Sequence, residues 1–190
     1  MRQIAMQSKE WIAESFFDLL SVKPLNSITI SEITENAELD RRTFYRHFTT
    51  KEDVISYYIN QITKKYEDVM KEHHNSYYKT HHNLDNKAHH ISLIVKSFFE
   101  MCEHNKDVLI ILYKQNLMHL LLDLFHSIGP KIHYQFSTEE ELKLENGDYF
   151  LAYNLGGLWN LLAKWLSDDC IKTPEQMARI VEQMFELQIL

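Results

Sequence analysis

The sequence predicts an all-α fold, and three observations carry that prediction. Only four glycines and three prolines occur in 190 residues, too few to turn the chain through many hairpins. Apolar residues recur at steps of three and four almost everywhere, the period of a half-buried helix. Helix-start signatures, a Ser, Thr or Asp set just before an apolar run with an acidic or amide side chain three residues on, mark several positions. The expected architecture is a small three-helix domain over residues 1–51 followed by a helical domain over 52–190.

The elements follow in order. Trp11/Ile12, Phe16 and Leu19/Leu20 give a first amphipathic helix that must end before Pro24. Thr29-Ile30-Ser31-Glu32 reads as a reciprocal capping box, and Ile30, Ile33 and Ala37 then share one face. Asp40 is a good N-cap for a short helix from Arg41 to Phe48, with Phe44 and Phe48 facing inward. Thr49 with Glu52 repeats the capping pattern and opens a long helix through Val54, Tyr58, Ile62 and Val69. Two short helices joined by about three residues make a helix-turn-helix.

The outward side of the second short helix is chemically distinct. It carries Arg41, Arg42, Thr43, Tyr45, Arg46 and His47, and Lys51 follows at the next helix start. Arginine bonds two acceptors of a guanine edge at once, whereas Thr, Tyr, His and Lys supply single donors suited to phosphate oxygens. From Asp40 to Lys51 four basic residues stand against one acid. The whole chain has a net charge of −7, all of it carried beyond residue 51, so a basic tip meets an acidic body. Such a polarised molecule orients itself toward a polyanion.

Ile28-Thr29-Ile30 through Ala37, then Thr43-Phe44-Tyr45-Arg46-His47-Phe48 followed by Lys51-Glu52, resembles the DNA-binding domain of the tetracycline-repressor (TetR) family. The resemblance covers roughly the first quarter of the chain as a motif. It implies double-stranded operator DNA as partner, with Thr29, Arg41, Arg42, Thr43, Tyr45, Arg46, His47 and Lys51 as the contacting set. It also implies a C-terminal helical domain that senses a ligand and dimerises. Two positions depart from the family's pattern. Glu38 stands where glycine is common in the turn, and a left-handed non-glycine residue there costs ~1–2 kcal/mol. Arg42 stands where many relatives have a small residue or proline, which points to an individual operator sequence.

Composition excludes several classes. Apolar residues make up 45%, too many for a disordered chain and without any run near the ~18 residues that span a bilayer. The longest apolar run, Val108 to Tyr113, is short. No secretory signal is visible at the N-terminus, and Cys102 and Cys170 are few and far apart, as in a reducing cytoplasm. No nucleophile-base spacing, glycine-rich phosphate loop or carboxylate cluster suggests an enzyme, and no cofactor is expected. His73-His74, His81-His82 and His89-His90 are spaced eight apart. That is not a spacing that gathers ligands on one helix face, so a polar linker is expected there and no metal site.

The back half repeats the helical pattern. Ile91, Ile94/Val95, Phe98 and Met101/Cys102 form one face, and Leu117, Leu120, Leu121, Leu124 and Phe125 form another. His119 and His126 share a face as surface or core residues. Gly129-Pro130 is expected to stop that helix, and Ser137 with Glu140 to start the next, which runs through Tyr149, Tyr153, Gly156 and Trp165. The pair Gly156-Gly157 suits a close helix approach, a bend, or plain core packing. Thr173-Pro174-Glu175-Gln176 starts a last helix whose seam is Met177, Ile180/Val181, Met184 and Leu187/Leu188. This seam can pack on its own subunit or on a twin, and the family resemblance favours a homodimer through the last two long helices.

Together these expectations describe a homodimeric regulator, in the resembled family most often a ligand-responsive repressor on a palindromic operator. Phe98, Cys102, Tyr113, Tyr153 and Trp159 are candidate walls of an effector pocket and equally candidate core. The alternative is a protein-interaction regulator or coactivator on the same fold with no small-molecule inducer.

Overall fold

A computed structural model describes residues 2–80, 87–136 and 145–186. The described residues form helices and connecting turns, with no strand among them. In chain order they are α1 (Arg2–Val22), a short 3-10 turn (Leu25–Ser27), α2 (Ile30–Asn36), α3 (Arg41–His47), α4 (Glu52–Thr80), α5 (Lys87–His104), α6 (Lys106–Lys114), α7 (His119–Phe136), α8 (Gly147–Ser167) and α9 (Pro174–Glu186). They divide into two compact units. The first comprises residues 1–61 with 111–120, the second 62–110 with 121–190. The unit holding the short helices thus extends past residue 51 and includes a segment from the middle of the chain.

The first unit is built on side chains that the periodicity places inward. Ile12, Phe16 and Leu20 of α1, Ile33 of α2, Phe44 of α3, and Val54 and Ile55 of α4 are fully buried. Each large side chain so buried contributes roughly 1.5–3 kcal/mol of hydrophobic stabilisation. Ser15 of α1 donates from Oγ to Ile33 O at 2.6 Å, which fixes α1 against α2. Phe17 packs on Tyr58 with ring centroids 4.8 Å apart.

The second unit has an aromatic core. Tyr66 of α4 meets Phe98 at 6.3 Å, Phe98 meets Phe99 at 5.3 Å and Phe125 at 6.0 Å, and Phe125 meets Trp159 at 5.5 Å. Trp165 packs edge-on to Phe99 at 5.5 Å and donates its indole N–H to Lys172 O at 2.7 Å, so its one polar atom is satisfied in a buried place. Ile55, Ile59, Ile62, Tyr66 and Met70 of α4 are buried, while Val69 is exposed.

Three expectations about element boundaries change. The helix start before α4 uses Thr50 and Asp53 in place of Thr49 and Glu52: Asp53 accepts from the N–H groups of Thr49 and Thr50, and Thr50 Oγ1 accepts from Asp53 N. Gly129-Pro130 does not stop α7, which runs on to Phe136 with Pro130 inside it. Gly129 has no Cβ to meet the Pro130 ring, which removes part of the restriction on the residue before a proline, and Leu155 of α8 lies where that Cβ would stand. The last helix packs its seam on its own chain: Met177, Ala178 and Val181 are buried, and α9 lies along α5. Lys96 of α5 pairs with Glu175 at 3.2 Å, and Ser92 donates to Glu182 at 3.4 Å.

Gly156 and Gly157 have open space where a side chain would stand, with no neighbour within 4 Å. They therefore make no tight packing with a described part of this chain. The side chains of the three histidine pairs, Ser137 with Glu140, and Leu187/Leu188 lie outside the described residues.

Candidate nucleic-acid interface

The helix-turn-helix forms as its caps dictate. Thr29 Oγ1 accepts from Glu32 N at 3.2 Å, and Glu32 Oε2 accepts from Thr29 N at 2.8 Å, so the capping box is complete. Glu32 also binds Lys23 through Oε1. The Lys23 hydrogen bond, followed by those from Thr29, lowers the Glu32 carboxyl to about 2. Asp40 caps α3 by accepting from Thr43 N at 2.6 Å. The backbone N–H and hydroxyl of Thr43 hold that carboxyl below its ordinary range.

Glu38 occupies the turn with φ of 54°, so the left-handed conformation is retained without glycine. The N–H groups that follow α2 close on its last carbonyls, Glu38 N to Glu35 O at 3.2 Å and Leu39 N to Thr34 O at 2.8 Å. This paired closure is a Schellman end, which satisfies two carbonyls that the helix leaves without donors. The residue is strained and the turn geometry intact.

α3 is anchored by Phe44, fully buried, and Phe48, whose rings lie 5.7 Å apart. Phe48 in turn meets Tyr57 at 5.6 Å. With that face fixed, Arg41, Arg42, Tyr45 and Arg46 are exposed, Tyr45 with 53% of its surface accessible. Arg41 with Tyr45, and Arg42 with Arg46, are four residues apart, so the exposed side of α3 carries three guanidinium groups and one phenol. Among the described residues no carboxylate forms an ion pair with these arginines. Thr29 is exposed at the start of α2.

The remaining predicted residues take other places. Thr43 is buried, its groups committed to Asp40. Lys51 Nζ donates to Leu25 O and, at 2.8 Å, to Ile28 O, which ties the start of α4 to the loop between α1 and α2. His47 is half-buried with its Nε2 enclosed and without a hydrogen-bond partner among the described residues. Burial first, then the neighbouring Arg46 and Lys9 charges, holds the imidazole below its ordinary pKa and favours the neutral ring.

Two participants were not legible as site residues. Lys9 of α1 places its ammonium 5.0 Å from the Tyr57 ring centroid and 5.7 Å from that of Phe48, so α1 steadies the end of α3 by cation–π attraction. Gln115, in the segment that joins the first unit from mid-chain, reaches the end of α1. Nothing in local pattern announces either contact, because each depends on the fold bringing distant residues together.

The five candidate effector-pocket residues are divided between the two units. Phe98 and Cys102 are buried in the second unit, and Trp159 joins the same ring cluster through Phe125. Tyr153 is exposed in that unit, whereas Tyr113 is partly exposed in the other. Burial raises the Cys102 thiol and the Tyr66 phenol well above their ordinary pKa values, so both are neutral groups within the aromatic core.

Comparison with known proteins places the chain. Residues 17–58 match the family described as bacterial regulatory proteins, tetR family, and residues 89–187 match a transcriptional regulator C-terminal region. The fatty acid degradation regulator FadR from Bacillus halodurans is similar in structure, with a TM-score of 0.64 and 14% identity over 93% of each chain. The dihydroxyacetone kinase operon activator DhaS is similar at a TM-score of 0.54 and 16% identity, covering 96% of this chain and 94% of its own. At these identities both show the fold alone. No curated protein sequence matches the chain, and no described helix is long and apolar enough to cross a membrane. The family models together span both parts of the chain, which is a member of the TetR family and a DNA-binding transcriptional regulator.

Proposed function

We propose that the chain is a ligand-responsive repressor that binds a palindromic operator as a homodimer in the cytoplasm. The observation that carries the reading is the exposed cationic face of α3, whose arginines form no ion pair among the described residues, on a helix anchored by Phe44 and Phe48. Arg42 and Arg46 are assigned to base edges of the major groove, and Arg41, Tyr45, His47 and Thr29 to base or phosphate contacts. Thr43 and Lys51 serve the same interface indirectly, by holding α3 and the α1–α2 loop in place.

The dimer is assigned to the last two long helices, with α8 as the principal contributor, since the α9 seam is already used against α5. Tyr149, Phe150 and Tyr153 are exposed on α8, and the open backbone at Gly156 and Gly157 offers a partner helix a close approach. A twofold dimer presents two readers to successive major grooves roughly 34–36 Å apart. An effector seated by the second unit's aromatic core, with Phe98, Cys102, Tyr153 and Trp159 as its candidate contacts, would favour a spacing that no longer fits. A coupling of about 1–3 kcal/mol changes affinity by roughly 5- to 150-fold.

A second reading makes the regulator answer to a protein partner in place of a small molecule, and the exposed aromatic face of α8 favours it. Sedimentation separates the two. A dimer at micromolar concentration whose operator affinity falls with one member of a metabolite panel supports the effector reading. A monomer that associates only with another protein supports the second.

A further inference from the structure

We propose that Gln115, far outside the helix-turn-helix, is a positioning residue for DNA reading: its side-chain amide completes the C-terminus of α1 and thereby fixes the loop that carries Thr29. The proposal rests on the reading of α2 and α3 as the DNA reader.

The need for such a residue begins with Pro24. In a continuing helix the N–H of residue 24 would serve Leu20 O, but proline has no N–H. Lys23 N is already given to Leu19 O, and Ser27 N goes to Pro24 O at 2.9 Å, not to Lys23 O. The backbone therefore leaves Leu20 O and Lys23 O without those donors at a partly buried helix end, where an unmade bond is costly. Gln115 Nε2 supplies both, donating to Leu20 O at 3.0 Å and to Lys23 O at 3.3 Å. One amide, with two hydrogens, matches two acceptors.

Gln115 is itself held in place. It ends the run of α6, and Asn116 in the left-handed region with Leu117 N bonding Leu112 O at 2.8 Å closes that helix. Leu112 and Leu117 are buried. On the other side, Lys23 binds Glu32, and Glu32 closes the cap on Thr29. Gln115 thus holds the Lys23 backbone, while the Lys23 side chain binds Glu32 and Glu32 caps the exposed Thr29, so one residue joins the two sets of contacts. Lys51 holds the same loop from below through Leu25 O and Ile28 O. The reader is complete only with a donor from position 115.

The test uses the full-length chain, the duplex that the wild type enriches from random DNA, and an unrelated duplex as competitor. Gln115→Leu keeps the volume and removes both donors; Gln115→Lys restores a donor; Gln115→Asn retracts the amide by one methylene and serves if the leucine variant does not fold. Losing a satisfied, partly buried acceptor pair predicts about tenfold weaker binding to the enriched sequence. Binding of the leucine and asparagine variants to the unrelated duplex stays unchanged, because neither alters a charge; the lysine variant adds one positive charge, so its recovery is read as the ratio of specific to unrelated affinity. The lysine variant recovers most of the loss, and the amides of Ile28, Thr29 and Glu32 exchange faster in the leucine variant.

Specific and non-specific affinity falling together, a lysine variant as weak as the leucine one, or unchanged specific affinity would overturn the proposal. If the wild type enriches no sequence, the DNA-reading assignment fails instead. The exchange of the Thr29 and Glu32 amides then judges Gln115 separately, and unchanged exchange would refute its positioning role.

Discussion

Helices α3 and α9 are built by the same local grammar and end with opposite chemistry. Each is short, each starts on a side-chain cap, Asp40 for α3 and the reciprocal pair of Thr173 and Gln176 for α9, and each buries one apolar face. α3 sinks Phe44 and Phe48, α9 sinks Met177, Ala178 and Val181. Their exposed faces differ. α3 presents Arg41, Arg42, Tyr45 and Arg46, whereas α9 presents Glu175, Gln176, Arg179 and Gln183. Caps and buried faces place a helix; its outward face decides what it can bind. A mixed-charge face is solvated, while a face of one sign waits for a counterpart.

The comparison is broken most forcefully at the buried faces. Phe44→Ala should cost about 3–5 kcal/mol of stability, read by denaturant unfolding, and abolish operator binding with it. Val181→Ala should lower stability by a smaller amount and leave the operator affinity of the remaining folded protein unchanged. Next come the outward faces: Arg42→Ala should cost about 1–3 kcal/mol per half-site in specific binding with no change in unfolding midpoint, and Arg179→Ala should change neither quantity. Equal effects of the two arginines on DNA affinity would erase the distinction.

The caps sharpen the comparison at the level of ~1 kcal/mol. Thr29→Ala and Thr173→Ala should destabilise by similar amounts, yet only the first should weaken DNA binding. Glu38→Gly should raise stability by about 1 kcal/mol, because glycine adopts the left-handed turn without the Cβ clash that glutamate bears. If it destabilises, the strain assigned to that turn is wrong.

The smallest effect is a pH dependence. The Glu32 carboxyl is held at about 2 in the folded chain against an ordinary value of 4.5. A depressed carboxylate stabilises fully above its unfolded value, and that contribution is lost as pH falls from there toward about 2. The melting temperature should therefore drop across that window, and less so in Glu32→Gln. The exposed position of Glu32 and salt screening keep the contribution modest.

Much of this was legible in the sequence, for physical reasons that also explain what was not. Thr29 with Glu32, Asp40, and Thr173 with Gln176 are local rules, complete within four residues, and they hold in the fold. Phe44 and Phe48 are inward because their spacing matches a helix turn. The cap before α4 slipped by one residue because Thr49, Thr50, Glu52 and Asp53 offer two registers, and local chemistry does not choose between them. Pro130 misled because the missing N–H and the ring clash of a proline weaken a helix locally, and the local pattern does not show the packing of the rest of the chain that lets α7 continue through it. The partners of Lys51, Lys9 and Gln115 are long-range: a lysine that binds Leu25 O and Ile28 O looks, in sequence, like one awaiting a phosphate. The face used by the α9 seam was open for the same reason, since an apolar stripe does not say which helix will cover it.

The central claim is that the outward face of α3 reads DNA sequence, and selection of binding sites from random duplex DNA tests it most directly. The wild type should enrich an inverted repeat with half-sites one helical turn, or a whole number of turns, apart, and Arg42→Ala should lose or relax a base preference within each half-site. Enrichment of no sequence, or an identical motif from wild type and Arg42→Ala, would contradict the account.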